Sequence, residues 1–276
     1  TPLYSSAASD VYKRQAYGDI DIFANGAAAG LSTINQQGHG VILWGSAQVI
    51  RSFAGSLSII GYATRAQGAD CDNWACISGG ITLRTGGVTI QAYNDLTLTG
   101  VSGQGIGLYL TFASGAGGGI VAERGNIVMN ALNSNASYGA MLIRLPVAAT
   151  LGSVTINAAG ANYGIYQDAW FGSVFAKNDI NMTGYATGVN GIYLGIGSVT
   201  SSHGNVILSG VTTSTNAAHY GIESSAIGVS AVNGSVTFQG AKLDTATTLA
   251  NAVANTSSGS PCLLYTSPSP RDRQKS

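Results

Sequence analysis

Aliphatic and small polar residues alternate along this chain in short runs, and each run opens on Gly or Asn. The copies are Gly18-Asp-Ile-Asp-Ile22, Gly55-Ser-Leu-Ser-Ile59, Asn94-Asp-Leu-Thr-Leu98 and Gly125-Asn-Ile-Val-Met129. They continue as Gly152-Ser-Val-Thr-Ile156, Asn178-Asp-Ile-Asn-Met182, Gly204-Asn-Val-Ile-Leu208 and Gly234-Ser-Val-Thr-Phe238. Alternation with period two marks half-buried strands, and a leading Gly or Asn accepts the positive φ of a tight corner. Successive copies start 37, 39, 31, 27, 26, 26 and 30 residues apart.

Two further patterns run in phase with the first. Tyr138-Gly139, Tyr163-Gly164, Asn190-Gly191 and Tyr220-Gly221 each precede a small or aliphatic residue, and a third short β-like piece follows at Gly172-Ser-Val-Phe175, Gly197-Ser-Val-Thr200 and Gly228-Val-Ser-Ala231. Repeats of this length point to solenoids or propellers. An immunoglobulin-like sandwich spaces its strands similarly but has no reason to repeat in phase, and the tighter repeats are too short for a propeller blade. The pattern therefore predicts an all-β chain, a parallel β-helix of about eight coils, rising on the order of 38 Å at the usual strand spacing. Stacking would place Ile127, Val154, Ile180, Val206 and Val236 in one aliphatic ladder and Met129, Ile156, Met182, Leu208 and Phe238 in a second. The early coils read as looser, with Val41-Ile-Leu-Trp44 as an extra strand.

Composition narrows the picture. Of 276 residues 45% are hydrophobic, 9% are charged and the formal net charge is zero. Disorder calls for the opposite balance. No run approaches the roughly 18 apolar residues of a membrane helix, and the dispersed basic residues Arg51, Arg65, Arg84, Arg124, Arg144, Lys177 and Lys242 argue against a nucleic-acid groove. Residues 1–15 and 261–276 break the pattern. They are Pro-, Lys- and Arg-rich, lack alternation and read as translated sequencing-adapter read-through, with natural disordered tails as the other reading. Setting them aside leaves a single unit, residues 16–260, and removes Cys262 from consideration.

Candidate chemistry is sparse. Cys71 and Cys76 bracket Asp72-Asn-Trp-Ala75. They could form a small disulfide ring in an oxidising compartment, remain free thiols, or contribute to a metal clip, which normally needs four ligands. Trp74 would be the plug of that loop or an exposed contact. His39, His203 and His219 sit beside glycines at turns, with no local partner for catalysis. The acids of residues 16–260 are Asp19, Asp21, Asp70, Asp72, Asp95, Glu123, Asp168, Asp179, Glu223 and Asp244. Asp95 and Asp179 share a corner position, Asp19 and Asp21 alternate outward on one strand, and no pair suggests the converging carboxylates of glycoside hydrolysis. The reading is therefore a non-enzyme, without cofactor or metal. Tyr138, Tyr163 and Tyr220 are expected to line up along one edge, near Tyr166 and Tyr193, as a structural ladder or a surface that binds sugar rings.

With these Gly-x-[Ile/Val]-x-[Ile/Leu/Met/Phe] coils, residues 16–245 resemble the repeat region of filamentous-haemagglutinin-like exoproteins, the large adhesins of two-partner secretion; autotransporter passengers look similar. The resemblance implies a right-handed parallel β-helix, exported through an outer-membrane pore to the cell surface or medium. There it would serve as a shaft or as a contact surface for a host-surface or matrix glycan or protein. The family's amino-terminal secretion signature is not found in these residues. Other readings are a passive stalk or surface-layer component, a glycan-cleaving β-helix or a phage tail-spike. Solenoids need polar terminal caps. Residues 16–260 expressed alone are predicted to expose strand edges and self-associate, so light scattering should show oligomers, and a monodisperse monomer would contradict the prediction.

Overall fold

The computed structural model describes residues 14–26, 40–44, 48–63, 79–84, 87–103, 105–111, 118–134, 139–167, 172–242, 253–255 and 262–263. Among these residues the only regular elements are β-strands, paired in parallel. The order along the chain is β1 (Arg14–Ala16), β2 (Ile20–Gly26), β3 (Val41–Trp44), β4 (Val49–Ser52), β5 (Leu57–Ala63), β6 (Gly79–Arg84), β7 (Thr89–Ala92) and β8 (Leu96–Ser102). Then come β9 (Ile106–Leu110), β10 (Gly119–Ala122), β11 (Ile127–Asn133), β12 (Met141–Ile143), β13 (Val147–Ala149), β14 (Val154–Gly160), β15 (Ile165–Gln167) and β16 (Ser173–Ala176). The last are β17 (Ile180–Ala186), β18 (Ile192–Ser201), β19 (Val206–Thr212), β20 (Ile222–Ala231), β21 (Val236–Lys242), β22 (Val253–Asn255) and β23 (Cys262–Leu263).

Each strand pairs with its counterpart one turn away, which makes the chain a three-sided parallel β-solenoid. The first side is the nine-stranded sheet β2-β5-β8-β11-β14-β17-β19-β21-β23. The second runs β3-β6-β9-β12-β15 and the third β1-β4-β7-β10-β13-β16, and both continue into the ten-residue strands β18 and β20. The eight motif copies supply eight consecutive rungs of the first side. Turns of three separate strands number five, from β2–β4 to β14–β16, because in β18 and β20 the second and third sides merge. The coil count thus differs slightly from expectation while the fold class stands. Val41–Trp44 is no extra strand but the regular second-side strand of its turn, paired with Ile81 through Arg84.

The repeat spacings read from sequence equal the register shifts. Ile127, Val154, Ile180, Val206 and Val236 are direct partners, as are Met129, Ile156, Met182, Leu208 and Phe238. Both ladders extend downward through Leu57 and Leu96, and through Ile59 and Leu98. Apart from the partly buried Val236, these side chains are buried, against Leu108, Met141, Ile165 and Ile192 of the second side and Ile90, Ile120, Val147 and Val174 of the third. Each such aliphatic contributes about 1.5–3 kcal/mol on burial. The third pattern is partly corrected: Ser198 pairs with Gly228, so Gly228 stands one residue beyond the position of Gly197.

The corner between the third and first sides explains the leading Gly or Asn. The residue just before the first-side strand reaches along the axis to the next coil. Asp19 Oδ1 accepts from Ser56 N–H, Asp95 Oδ1 from Asn126 N–H and Asp179 Oδ1 from Asn205 N–H, each at 2.7 Å. Asn126 and Asn205 do the same for Ser153 and Ser235, at 2.9 and 3.0 Å. A Cβ on Gly55, Gly125 or Gly204 would lie 2.5–2.6 Å from the Oδ1 of Asp19, Asp95 or Asp179. Copies led by Asn, at Asn94 and Asn178, follow coils whose corner residue is a serine, Ser56 or Ser153. The motif glycine is therefore not there for a positive φ, which among described glycines occurs at Gly87 and Gly197. At Gly55, Gly125, Gly152, Gly204 and Gly234 it clears space for the backbone of the coil below, and at Gly55, Gly125 and Gly204 for the Asp Oδ1 as well. Asp19 belongs to this corner, which corrects its placement on the strand; Asp21 does point outward from β2.

A second close approach joins the first and second sides. Gly61, Gly100, Ala131, Ala158, Gly184, Gly210 and Gly240 are in register. A Cβ on Gly100 would sit 2.1 Å from Gly107 O, on Gly184 2.2 Å from Gly191 O and on Gly210 2.1 Å from Gly221 O. Gly164, Gly191 and Gly221 of the Tyr-Gly and Asn-Gly pattern thus lie on a seam where two backbones touch, with Ala140 in that position in the coil of Gly139.

The corner interlock predicts a coupled pair. Gly204→Asn should destabilise the fold, Asp179→Ser should cost about 1 kcal/mol through its lost hydrogen bond, and combining them should recover part of the Gly204→Asn loss, with a coupling of about 0.5–3 kcal/mol. Urea midpoints of the four proteins measure this; additive losses would refute the interlock.

Candidate functional site

The edges of the solenoid differ in how constant their connections are; between the second and third sides they run from three residues, 144–146, to eight, 111–118. At the corner between the third and first sides, every connection has three or four residues, from 17–19 to 232–235. At the seam edge the connections vary widely: 27–40, 64–78, 103–105, 134–140, 161–164, 187–191 and 213–221. Cys71, Trp74 and Cys76 belong to the 64–78 connection and Tyr138 to the 134–140 connection; all four lie outside the described residues, as does His39.

Tyr163 and Tyr220 border this same edge but do not touch. Ala140 N–H donates to Tyr163 O, Gly164 N–H to Asn190 O and Gly191 N–H to Tyr220 O. Gly139, Tyr163, Asn190 and Tyr220 therefore share one row, and Asn190 separates the two tyrosines. Gly139 takes this row's place in the coil of β12; Tyr138 itself lies outside the described residues. The stacked strip is instead the neighbouring outward row Tyr109, Leu142, Tyr166, Tyr193 and Glu223. Tyr166 and Tyr193 stack with centroids 4.9 Å apart and planes at 14°, and the ring of Tyr163 tilts against Tyr166 at 4.7 Å. Tyr109 and Leu142 are buried, whereas Tyr166 and Tyr193 are half-buried.

Asn190 ties the group together. It is 2% exposed; its Nδ2 donates to Glu223 Oε2 at 2.6 Å and its Oδ1 accepts Tyr220 N–H at 2.6 Å. Burial, then the Glu223 carboxylate, then Tyr193 raise the pKa of Tyr163 above the ordinary tyrosine value. The phenol stays neutral, a hydroxyl beside one carboxylate and two stacked rings. That chemistry suits contact with a polar ring or a hydrogen-bonding partner.

The remaining expected residues fall on corners. His203 Nδ1 lies 2.9 Å from Ser202 Oγ and His219 Nδ1 lies 2.7 Å from Ser214 Oγ. Among the described residues no three of His, Cys, Asp and Glu gather at one place, and no helix is long and apolar enough to cross a membrane.

Two outward groups escaped the sequence reading. Tyr17, Phe53 and Tyr93 form a row over three coils at the corner between the third and first sides. Arg51 lies 4.5 Å over the Phe53 ring and Arg124 lies 5.0 Å over Tyr93, while Arg51 pairs with Glu123 at 3.3 Å. The row was hidden because the aromatic stands one residue before Gly18 and Asn94 but two before Gly55. The second group is a groove on the outside of the first side, whose residues follow the end of the five-residue motif.

No protein-family model, curated protein or solved structure matches this chain. Its class rests on the fold, a parallel β-solenoid.

Tyr163 offers a spectroscopic test. Because its folded pKa is raised above 10.0, its stabilising effect is complete below the unfolded value and is lost as pH rises through the folded value. Absorbance titration should show one late-ionising tyrosine that vanishes in Tyr163→Phe, and this variant should lose less stability above pH 10 than the parent. An unchanged titration curve in Tyr163→Phe would contradict the geometry.

Proposed function

We propose that the chain is part of the shaft of a secreted or surface-exposed bacterial exoprotein, an adhesin of the filamentous-haemagglutinin kind, exported through an outer-membrane pore. The observation that carries this reading is the convergence of variable elements on one edge. Connections of three to fifteen residues leave the seam edge, while the corner between the third and first sides keeps three or four and is locked by its Asp/Asn relay. Such a rod presents loops and outward side chains along a line while its core repeats unchanged. The partner on this reading is a host-surface or matrix glycan or protein, and the site of action is extracellular.

The reading assigns no catalytic role. Asp19, Asp95 and Asp179 are each engaged with the backbone of the next coil, and Asp19 and Asp95 stand two coils apart. A passive stalk shares this architecture and differs in having no ligand.

The test is retention of protein-coated beads on matrix-coated surfaces and cultured host cells. Retention severalfold above bare beads, reduced by deletion of residues 64–78 in a chain that keeps its β circular dichroism, is the expected result. Retention equal to bare beads would remove the contact function and leave a spacer.

A further inference from the structure

The first side carries an outward groove of about 320 Å³ across β8, β11, β14 and β17. Its origin is the alternation of side chains along each strand. The fifth strand position faces inward, so the backbone of Gly100, Ala131 and Ala158 makes the groove floor. The outward rows on either side rise above it. One rim is polar and neutral: Thr99, Asn130, Asn157 and Thr183 are in register, and Asn157 Nδ2 donates to Asn130 Oδ1 at 3.1 Å. The other rim is Val101, Leu132, Ala159 and Tyr185, with Leu132 50% and Tyr185 40% exposed. Small Ala159 between these two larger side chains opens a notch.

We infer that this groove binds a neutral glycan strand laid along the solenoid axis. Three features support that occupant over others. No lining residue is charged, so the groove offers nothing to neutralise a sulfated, sialylated or uronic acid chain and no counter-charge for a basic peptide. A partly exposed tyrosine opposite amides and hydroxyls offers what a pyranose requires: an aromatic face for its C–H groups, with donors and acceptors for its hydroxyls. The Asn130–Asn157 bond uses one acceptor and one donor of the pair and leaves their other amide groups to meet sugar hydroxyls. A neutral polar side chain faces the groove at each rung, about 4.8 Å apart, over roughly 14 Å. That repetition matches a polymer of like units, of short oligosaccharide length. The inference rests on the reading of this rod as a contact surface and names its ligand class.

The experiment uses the chain on a printed array of neutral hexose and N-acetylhexosamine oligomers, with sulfated and sialylated oligomers beside them. The expected result is binding to neutral oligomers that falls roughly tenfold or more in Tyr185→Ala and is abolished by Ala159→Trp, which fills the notch. Phe175→Ala, on the third side and 37% exposed, should bind as the parent does, and circular dichroism confirms that each variant is folded. Binding that survives Ala159→Trp, a preference for acidic oligomers, or no array binding by the parent would overturn the inference. So would loss of self-association, rather than of sugar binding, in Ala159→Trp, which would make the groove an interface between copies. If the array is negative while coated beads still adhere, the groove assignment alone fails; if both are negative, the contact reading falls with it.

Discussion

Register between neighbouring coils is the constraint on which everything else in this molecule depends. In a parallel stack each strand borrows its hydrogen bonds from the turns above and below, and a slip of one residue would turn every inward aliphatic outward. Hydrophobic burial holds the coils together but discriminates weakly among registers that present similar residues. Two features at opposite ends of the first-side strand add discrimination. At its start, Asp or Asn fits only where the next coil leaves a Cβ-sized space. At its end, Gly or Ala is required because the second side runs against it. A strand of seven residues fixed at both ends has one place to sit.

These fixtures also decide where variation is tolerated. The corner with the Asp/Asn relay keeps three or four residues in every turn, because an insertion there would move the side-chain oxygen away from its amide. At the seam the constraint is met within the strands themselves, by Gly100 against Gly107 or Gly210 against Gly221. The chain between them can lengthen without disturbing the contact, since closing a longer loop adds little free energy. Hence the longest of these connections, 27–40 and 64–78, leave this edge. The tyrosine group around Asn190 and the neutral groove border that edge from the second and first sides.

Much of the fold was legible because inward positions obey a simple alternation. The ladders through Ile127 and Met129 and the register shifts followed directly from the repeat starts. What failed to show was pairing between coils. Gly and Asn looked interchangeable at the head of the motif, because the rule that chooses between them lies in the residue one coil earlier, more than twenty positions away. The outward rows were harder still. Tyr163 and Tyr220 do share a row, yet Asn190 stands between them and the stacked rings belong to the next row, at Tyr166 and Tyr193. Phe53 was concealed by a corner one residue longer than its neighbours. Outward rows carry no hydrophobic signal, so a single added residue erases them from sequence while the register preserves them in space.

This separation has a consequence for how chemistry can reside on the rod. Inward and seam positions are coupled to every neighbour, so their substitution propagates through the stack. Outward positions four and six of each first-side strand touch only the rungs above and below, and their side chains can change with little effect on the coils. The polar rim at Asn130 and Asn157 and the apolar rim at Leu132 and Tyr185 occupy those freer positions, on either side of the backbone at the inward fifth position. The groove's depth therefore follows from the fold, while its chemistry is set by residues the fold does not need. A site built this way can change ligand by exchanging two or three rim residues, without the register moving.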